Sequence, residues 1–185
     1  MHSTRHELQK AVASGDAANV ERLLEFGGPE LAAAYTDDGW TLLHLAPTAE
    51  IAQLLLAHGA DINAPNRHRV FGPGNSPLHA ATYMGSAEVA RLLIQKGGNV
   101  NATDNAVWTP LHLAASNGYV DIARRLLEAG ADPNARTGDV GGAQWANKTP
   151  LELMTVNNRV RDDGTRVDSE ADAAVATLLR EHGGR

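Results

Sequence analysis

One short pattern recurs along this chain and constrains its fold more than any other feature. The tetrapeptide reads TLLH at 41–44, SPLH at 76–79, TPLH at 109–112 and TPLE at 149–152. A second marker follows in phase, as GADIN at 59–63, GGNVN at 97–101 and GADPN at 130–134. The repeat length is therefore about 33 residues with insertions, which is typical of proteins that stack short structural repeats.

Each repeat carries the signals of two helices. Thr109 is suited to cap a helix, Pro110 fits the first helical position, and Gly118 favours the left-handed conformation that ends a helix. A second helix is predicted from apolar pairs one turn apart, and it ends at a further glycine. In the fourth repeat the pairs are Ile122-Ala123 and Leu126-Leu127, and the glycine is Gly130. Neither helix can bury its apolar stripe alone, so neighbouring repeats must stack.

The composition favours helices and excludes several kinds of site. Aromatic residues make up only 4% of the 185 residues, so the core must consist of Leu, Ala, Ile and Val, which suits closely packed helices. The absence of cysteine excludes disulfides, thiolate metal sites and cysteine nucleophiles. A formal net charge of −6 argues against nucleic acid as a partner. No stretch has the apolar length of a signal segment or a membrane span, so we expect a cytoplasmic protein with no membrane partner.

These motifs closely resemble the ankyrin repeat, whose pattern is a turn, T-P-L-H-x-A-A, a Gly turn, a Leu-rich helix and G-A-D-x-N. The resemblance implies an all-α fold, an ankyrin-repeat solenoid of helix-turn-helix units joined by β-hairpin-like loops. It covers nearly the whole chain as one domain of five repeats, at about 5–36, 37–68, 69–104, 105–139 and 140–185. The first and last repeats have Gln9 and Glu152 at the histidine position, as expected of terminal caps. The implied protein is not an enzyme, holds no cofactor and is a monomer on its own.

The chain also departs from the family pattern. Repeat two is short between its helices, so we expect its first helix to end early, at Pro47. The turn glycine of the family is present as Gly39, but Val107 replaces it in repeat four, where the hairpin shape is therefore open to change. The loops at 64–75 and 135–148 and an insertion at 159–170 are longer than those of the family. Long insertions in repeat proteins tend to fall on one functional face.

The recurring histidines are His44, His79 and His112. The resemblance implies that each imidazole bonds to the backbone of an adjoining loop. A shared metal is disfavoured, because equivalent residues of stacked helices lie roughly 10 Å apart, whereas Zn–N bonds are about 2 Å long. The asparagines of the second marker, Asn63, Asn101 and Asn134, are interpreted as turn formers that bond local backbone. We predict no catalytic residues, no metal site and no cofactor site.

The resemblance implies a protein partner that binds the hairpin tips and the concave face formed by the first helices. Five of the eight aromatic residues fall at these positions, and aromatic side chains are typical interface anchors. A basic cluster on the first long loop could meet an acidic partner surface. The predicted partner-binding residues are Trp40, Arg67, His68, Arg69, Phe71, Tyr83, Met84, Trp108, Ser116, Asn117 and Trp145.

Other interpretations stay open at this point. Trp40 and Trp108 could simply pack against a neighbouring hairpin. The inserted loops could instead hold an enzyme site, or a site for a small ligand or nucleic acid. Loss of an activity on mutation of His112, with the fold intact, would indicate an enzyme. Salt-dependent binding of RNA or DNA through Arg67 and Arg69 would indicate a nucleic-acid binder.

Overall fold

The computed structural model describes residues 2–68, 73–139, 142, 144–156 and 169–185. The chain divides into two compact units, residues 1–99 and 100–185. The first unit contains six helices in its described part: α1 (His2–Ser14), α2 (Ala17–Gly27), α3 (Pro29–Ala32), α4 (Ala49–Ala57), α5 (Pro77–Tyr83) and α6 (Ala87–Gln95). The described part of the second unit contains α7 (Pro110–Asn117), α8 (Val120–Glu128), α9 (Pro150–Val156) and α10 (Ser169–Glu181).

The short helices begin where the sequence predicts. Ser76 and Thr109 both have extended backbone, and each side chain accepts the backbone N–H of the histidine three residues later. The proline that follows each cap stands in the first turn, where a missing N–H costs nothing. Helix α7 then ends at Gly118, whose φ of 67° is left-handed. At 76–79 and 109–112 the tetrapeptide is thus a helix start, and its polar residues are part of the cap.

The core of each unit is aliphatic, as the composition predicts. In the first unit α2 packs against α1 and α4, and α4 packs against α6. In the second unit α7 packs against α8 and α9, and α10 packs against α8 and α9. The largest fully buried side chains among the described residues are all Leu or Ile, for example Leu24, Leu55, Leu93, Ile122 and Leu126. The second helices α2, α6 and α8 each bury one apolar stripe, whereas α5 is buried along almost its whole length.

The first helix expected in repeat two is absent. Residues 42–45 form a turn in its place, with i+3→i bonds from His44 N–H to Thr41 O (3.1 Å) and from Leu45 N–H to Leu42 O (3.1 Å). Pro47 lacks the N–H that would continue a helix, and it disfavours helical backbone at the residue before it. The prediction of a shortened helix that ends at Pro47 was therefore wrong, because the segment before Pro47 forms no α-helix at all.

The hairpin turn of repeat four keeps its shape despite the valine. Val107 has a φ of 61°, close to the left-handed value of 87° at Gly39. The closing bonds correspond as well, from Val107 N–H to Asp104 O (3.0 Å) and from Gly39 N–H to Thr36 O (2.9 Å). The valine side chain is accommodated by the facing loop, which has a glycine, Gly138, beside it. A Cβ atom there would lie 3.0 Å from Val107 Cγ2 and 3.0 Å from Ala106 O, so a glycine makes room for the valine.

The hairpins contain little regular β-structure. The first unit has an isolated antiparallel bridge between Tyr35 and Thr41. None of the helices described is long and apolar enough to cross a lipid bilayer.

Candidate functional site

His112 connects a helix start to the following loop. The ring is fully buried, and its Nδ1 accepts the backbone N–H of Thr109 at 3.0 Å. A neutral imidazole that accepts at Nδ1 carries its proton on Nε2. That N–H donates to the carbonyl oxygens of Ala135 (3.0 Å) and Lys148 (3.1 Å). Both ring nitrogens are therefore committed to the fold, as the resemblance implies.

His44 makes the corresponding connection in the first unit, although it lies in a turn and not at the start of a helix. Its Nδ1 lies 2.8 Å from Thr41 Oγ1, and its Nε2 lies 2.8 Å from the carbonyl oxygen of Asn75. Burial lowers the pKa of this imidazole from 6.5 to about 4, although the Asn75 carbonyl opposes the change and His79 adds to it. His79 begins a helix, because its Nδ1 accepts the backbone N–H of Ser76 at 3.1 Å. For His44, burial therefore favours the neutral ring.

Glu152 replaces the histidine in the last repeat and keeps its capping function. Its carboxylate accepts the Thr149 backbone N–H at 2.8 Å, and its own N–H donates to Thr149 Oγ1 at 3.2 Å. Arg136 donates to the same carboxylate at 3.2 Å. The Thr149 N–H, and after it the charges of Arg136 and Lys148, lower the pKa of this carboxyl group. A carboxylate has no N–H to donate, so Glu152 caps this helix and needs no carbonyl acceptor like those that His112 bonds.

The marker asparagines have a different role from the one predicted. Asn63 Oδ1 accepts the backbone N–H of Asn99 at 2.8 Å, and Asn101 Oδ1 accepts that of Asp132 at 2.8 Å. Asn134 Oδ1 accepts the N–H of Arg185 at 2.9 Å. The prediction that these side chains bond local backbone was wrong, since each reaches backbone about one repeat further on. At two of the three markers a preceding aspartate closes the local turn instead, because Asp61 Oδ1 accepts the Asn63 N–H at 2.9 Å and Asp132 Oδ1 accepts the Asn134 N–H at 2.8 Å.

The hairpin tip of the first unit combines aromatic and basic side chains. Trp40 is half-buried, with its ring centroid 5.5 Å from that of His44 and 5.4 Å from that of His68. Arg67 is exposed, and its guanidinium carbon lies 3.9 Å from the centroid of the Tyr35 ring. The structure brings three predicted residues together, namely Trp40, Arg67 and His68. Arg69 and Phe71 lie outside the described residues.

The hairpin tip of the second unit contains a pair of tryptophans. Trp108 and Trp145 are both half-buried, and their ring centroids lie 6.2 Å apart. Trp108 also packs against the capping ring of His112, with centroids 6.0 Å apart. The loop that carries Trp145 is closed by bonds from Thr137 N–H to Lys148 O (3.0 Å) and from Lys148 N–H to Thr137 Oγ1 (2.9 Å). The alternative interpretation was that Trp40 and Trp108 simply pack on a hairpin. Such packing covers part of each ring, and the rest of each ring is exposed at the surface.

The predicted residues at the ends of the first helices differ in exposure. Tyr83 is 68% exposed and Met84 is 59% exposed at the end of α5. Ser116, at the same phase of the next repeat, is only 8% exposed, and its buried hydroxyl has no hydrogen-bond partner among the residues that the structure describes. Asn117 is half-buried, and its side-chain amide donates to Leu113 O at 2.8 Å. Ser116 therefore offers almost no surface to a partner, because α7 buries that face.

Three surface residues were missed by the sequence analysis. Tyr35 supports Arg67, and its place just before the hairpin turn could have indicated this. Phe26, at the end of α2, is 81% exposed, and Val107 is 43% exposed on its turn. No cluster of histidine, aspartate and glutamate residues with the arrangement of a metal site is found among the residues described.

Comparison with known protein families identifies the repeat. Residues 50–137 match the family of ankyrin repeats in three copies. The match covers the second marker of repeat two, all of repeat three and most of repeat four. A search of curated proteins found no match to the chain.

Proposed function

Because this chain belongs to the ankyrin-repeat proteins, we propose that it is a non-catalytic module that binds another protein through its hairpin tips and first-helix ends. Ankyrin repeats generally act in protein–protein interaction. In this chain we place the binding surface at the hairpin tips and at the ends of the first helices. The proposal also includes action as a monomer in the cytoplasm.

The main support for this function is that each unit has at least one partly exposed tryptophan at its hairpin tip. Trp40 in the first unit and Trp108 with Trp145 in the second are half-buried, although the aliphatic core does not need them. Tryptophan is enriched among the residues that contribute most to binding free energy at protein interfaces. Tyr83 and Met84 add exposed apolar surface in the first unit.

The tips are also rigid enough to bind with little ordering. Trp40 and Trp108 each pack against a buried histidine that is itself fixed by hydrogen bonds at both ring nitrogens. A side chain held in one orientation before binding loses less conformational entropy when the partner arrives. The histidines therefore support binding indirectly, because they fix the surfaces on which the tryptophans lie.

The function can be tested by affinity capture from a lysate of the source organism. The bait is the full chain, compared with Trp40→Ala and with a Trp108→Ala, Trp145→Ala double variant. Phe26→Ala is a matched control, because it removes a more exposed aromatic ring, on α2, that is not among the proposed binding residues. Thermal melts by circular dichroism show that each variant is folded.

We expect the tip variants to lose a specific protein that both the unchanged chain and the Phe26→Ala variant retain. A prey list that is unchanged in both tip variants would show that the binding surface lies elsewhere. Size-exclusion chromatography with light scattering tests the monomeric state on the same samples.

A further inference from the structure

Arg67 is held in a fixed position at the first hairpin tip. Its guanidinium carbon lies 3.9 Å from the centre of the Tyr35 ring, and the Tyr35 hydroxyl donates to Pro65 O at 2.9 Å. The backbone N–H of Arg67 donates to Gly39 O at 2.7 Å. Both the ring beneath the guanidinium and the backbone that carries it are therefore anchored. An exposed arginine ordered in this way loses less entropy on binding than one that moves freely.

The stacked guanidinium leaves its hydrogen-bond donors available. Stacking uses the flat face of the group, whereas its five N–H donors point outward in the plane. Within the described part of the chain, no carboxylate forms an ion pair with Arg67 and no carbonyl oxygen accepts from its side chain. The geometry of these donors matches the two oxygens of a carboxylate.

An aromatic surface lies beside this arginine. His68 follows Arg67 directly, and its ring packs on that of Trp40, with centroids 5.4 Å apart and planes tilted by 33°. Both rings are half-buried, so each contributes some apolar surface next to the guanidinium. A ligand that satisfies this tip needs a carboxylate for Arg67 and an apolar side chain for the rings.

We propose that the first hairpin tip binds a short extended segment of the partner protein in which a single acidic residue is flanked by apolar residues. The acidic side chain accepts a bidentate bond from Arg67, and its apolar neighbour packs on Trp40 and His68. This inference rests on the proposed function and adds the chemistry of the partner to it.

The local charges favour one isolated carboxylate over a polyanion. Asp37 and Asp38 are exposed on the same turn, directly before the Gly39 that bonds to Arg67. The chain as a whole has a formal net charge of −6. A nucleic-acid backbone or a run of acidic residues would place several negative charges near these aspartates, and the repulsion would oppose binding. A segment with one carboxylate satisfies Arg67 without that cost.

The experiment is a selection of random twelve-residue peptides displayed on phage, with the full chain as target. Enriched peptides are then synthesised with a fluorophore, and their affinities are measured by fluorescence polarisation. We expect enrichment of peptides with one Asp or Glu beside a Leu, Ile or aromatic residue. Replacing that acid by its amide should weaken binding about tenfold or more, as expected for hydrogen bonds to a charged group.

Variants of the chain locate the contact. Arg67→Gln should weaken binding of the same peptide about tenfold or more. On the Arg67→Gln variant the acidic peptide and its amide form should bind with equal affinity, because the contact that distinguishes them is gone. Arg67→Lys, which keeps the charge but not the planar fork, should give an intermediate loss. Arg124→Gln is the matched control, because it neutralises an exposed arginine on α8, and it should leave the affinity unchanged.

Other outcomes would overturn the inference. Enrichment of basic or uncharged peptides, or acidic peptides that bind Arg67→Gln as tightly as the unchanged chain, would exclude the proposed contact. A fluorescent single-stranded oligonucleotide that binds through Arg67 in competition with the peptides would indicate nucleic acid instead. Failure to enrich any peptide would also contradict the inference. In these cases the capture experiment above still decides independently whether the chain binds a protein.

Discussion

The imidazole of His112 shows how a side chain of a reactive type can be bonded to the backbone at both ring nitrogens. Its two nitrogens bond to three backbone groups, the N–H of Thr109 and the carbonyl oxygens of Ala135 and Lys148. The three groups belong to the helix start and to both ends of the next loop. Removal of the ring would leave buried polar groups without partners, and each such group costs about 1–3 kcal/mol.

We therefore expect His112→Ala to lower the free energy of unfolding by about 3 kcal/mol, since it also leaves a cavity at a fully buried site. Urea denaturation followed by circular dichroism measures the change. His182→Ala is the control, because that exposed ring bonds to one helix-terminal carbonyl, Leu178 O, at 2.8 Å. A His112→Ala variant as stable as the unchanged chain would show that the ring is not structural, and an enzymatic role would then merit a search.

Val107 is a second residue at which a local measurement is decisive. A β-branched side chain at a φ of 61° is strained, by roughly 1–2 kcal/mol relative to ordinary backbone. Asparagine tolerates this conformation, and the side chain is 43% exposed, so little burial is lost. We expect Val107→Asn to raise the free energy of unfolding by about 1 kcal/mol. Val107→Ile keeps the branching and should bring no gain, and a destabilised Val107→Asn would mean that packing on Gly138 outweighs the strain.

At the scale of the helix, the second helices differ in how they begin. Asp16, before α2, has φ −82° and ψ 82°, and its side chain accepts the Asn19 N–H. Ser86, before α6, has nearly the same backbone, φ −78° and ψ 78°, but forms no side-chain cap bond. The longer aspartate side chain should reach the corresponding N–H of Val89.

We therefore expect Ser86→Asp to stabilise the chain by about 0.5–1 kcal/mol, from the cap bond and from a negative charge at a helix N-terminus. Thermal unfolding at low ionic strength measures it. Ser86→Ala is the matched control and should be nearly neutral, because no cap bond is present to be lost. Equal stability of the two variants would show that the aspartate does not form the cap.

The helix starts were predictable because their signals are local. A cap residue, a proline and a left-handed glycine act within one turn of chain, so the sequence alone identifies α5 and α7. The missing helix at 41–46 depends on the balance between a few turn bonds and Pro47, and the sequence predicted a shortened helix there instead of a turn. The bonds of Asn101 join residues about 30 positions apart. No local pattern distinguishes that use of an asparagine from a turn.

The candidate surface was predictable only in part for the same reason. The positions of Trp40 and Trp108 at the hairpin tips were predictable, because each stands directly before the repeated tetrapeptide. The stacking of Arg67 on Tyr35 requires two segments that are distant in sequence to meet, and the burial of Ser116 depends on what packs around α7. Repeat phase alone treats Ser116 and Tyr83 as equivalent, and tertiary packing separates them.

At the scale of the whole molecule, buried neutral histidine couples stability to pH. The pKa of His44 is about 4 in the folded chain, because burial disfavours the charged ring, against 6.5 when the chain is unfolded. Between these values the unfolded state binds the proton and the folded state does not. The contribution of the neutral ring is therefore complete above pH 6.5 and is lost as the pH falls towards 4.

We expect the free energy of unfolding to fall by about 3 kcal/mol from this residue alone between pH 7 and pH 4. Urea denaturation of the full chain at half-unit steps of pH measures the slope. A His44→Gln variant should be less stable at pH 7 but should lose less on acidification, since it has no proton to bind at this position. His6→Gln, at an exposed position on α1, should keep the original slope. If His44→Gln and the unchanged chain lost stability in parallel, the acid sensitivity would arise from other groups, and the buried ring of His44 would not be its source.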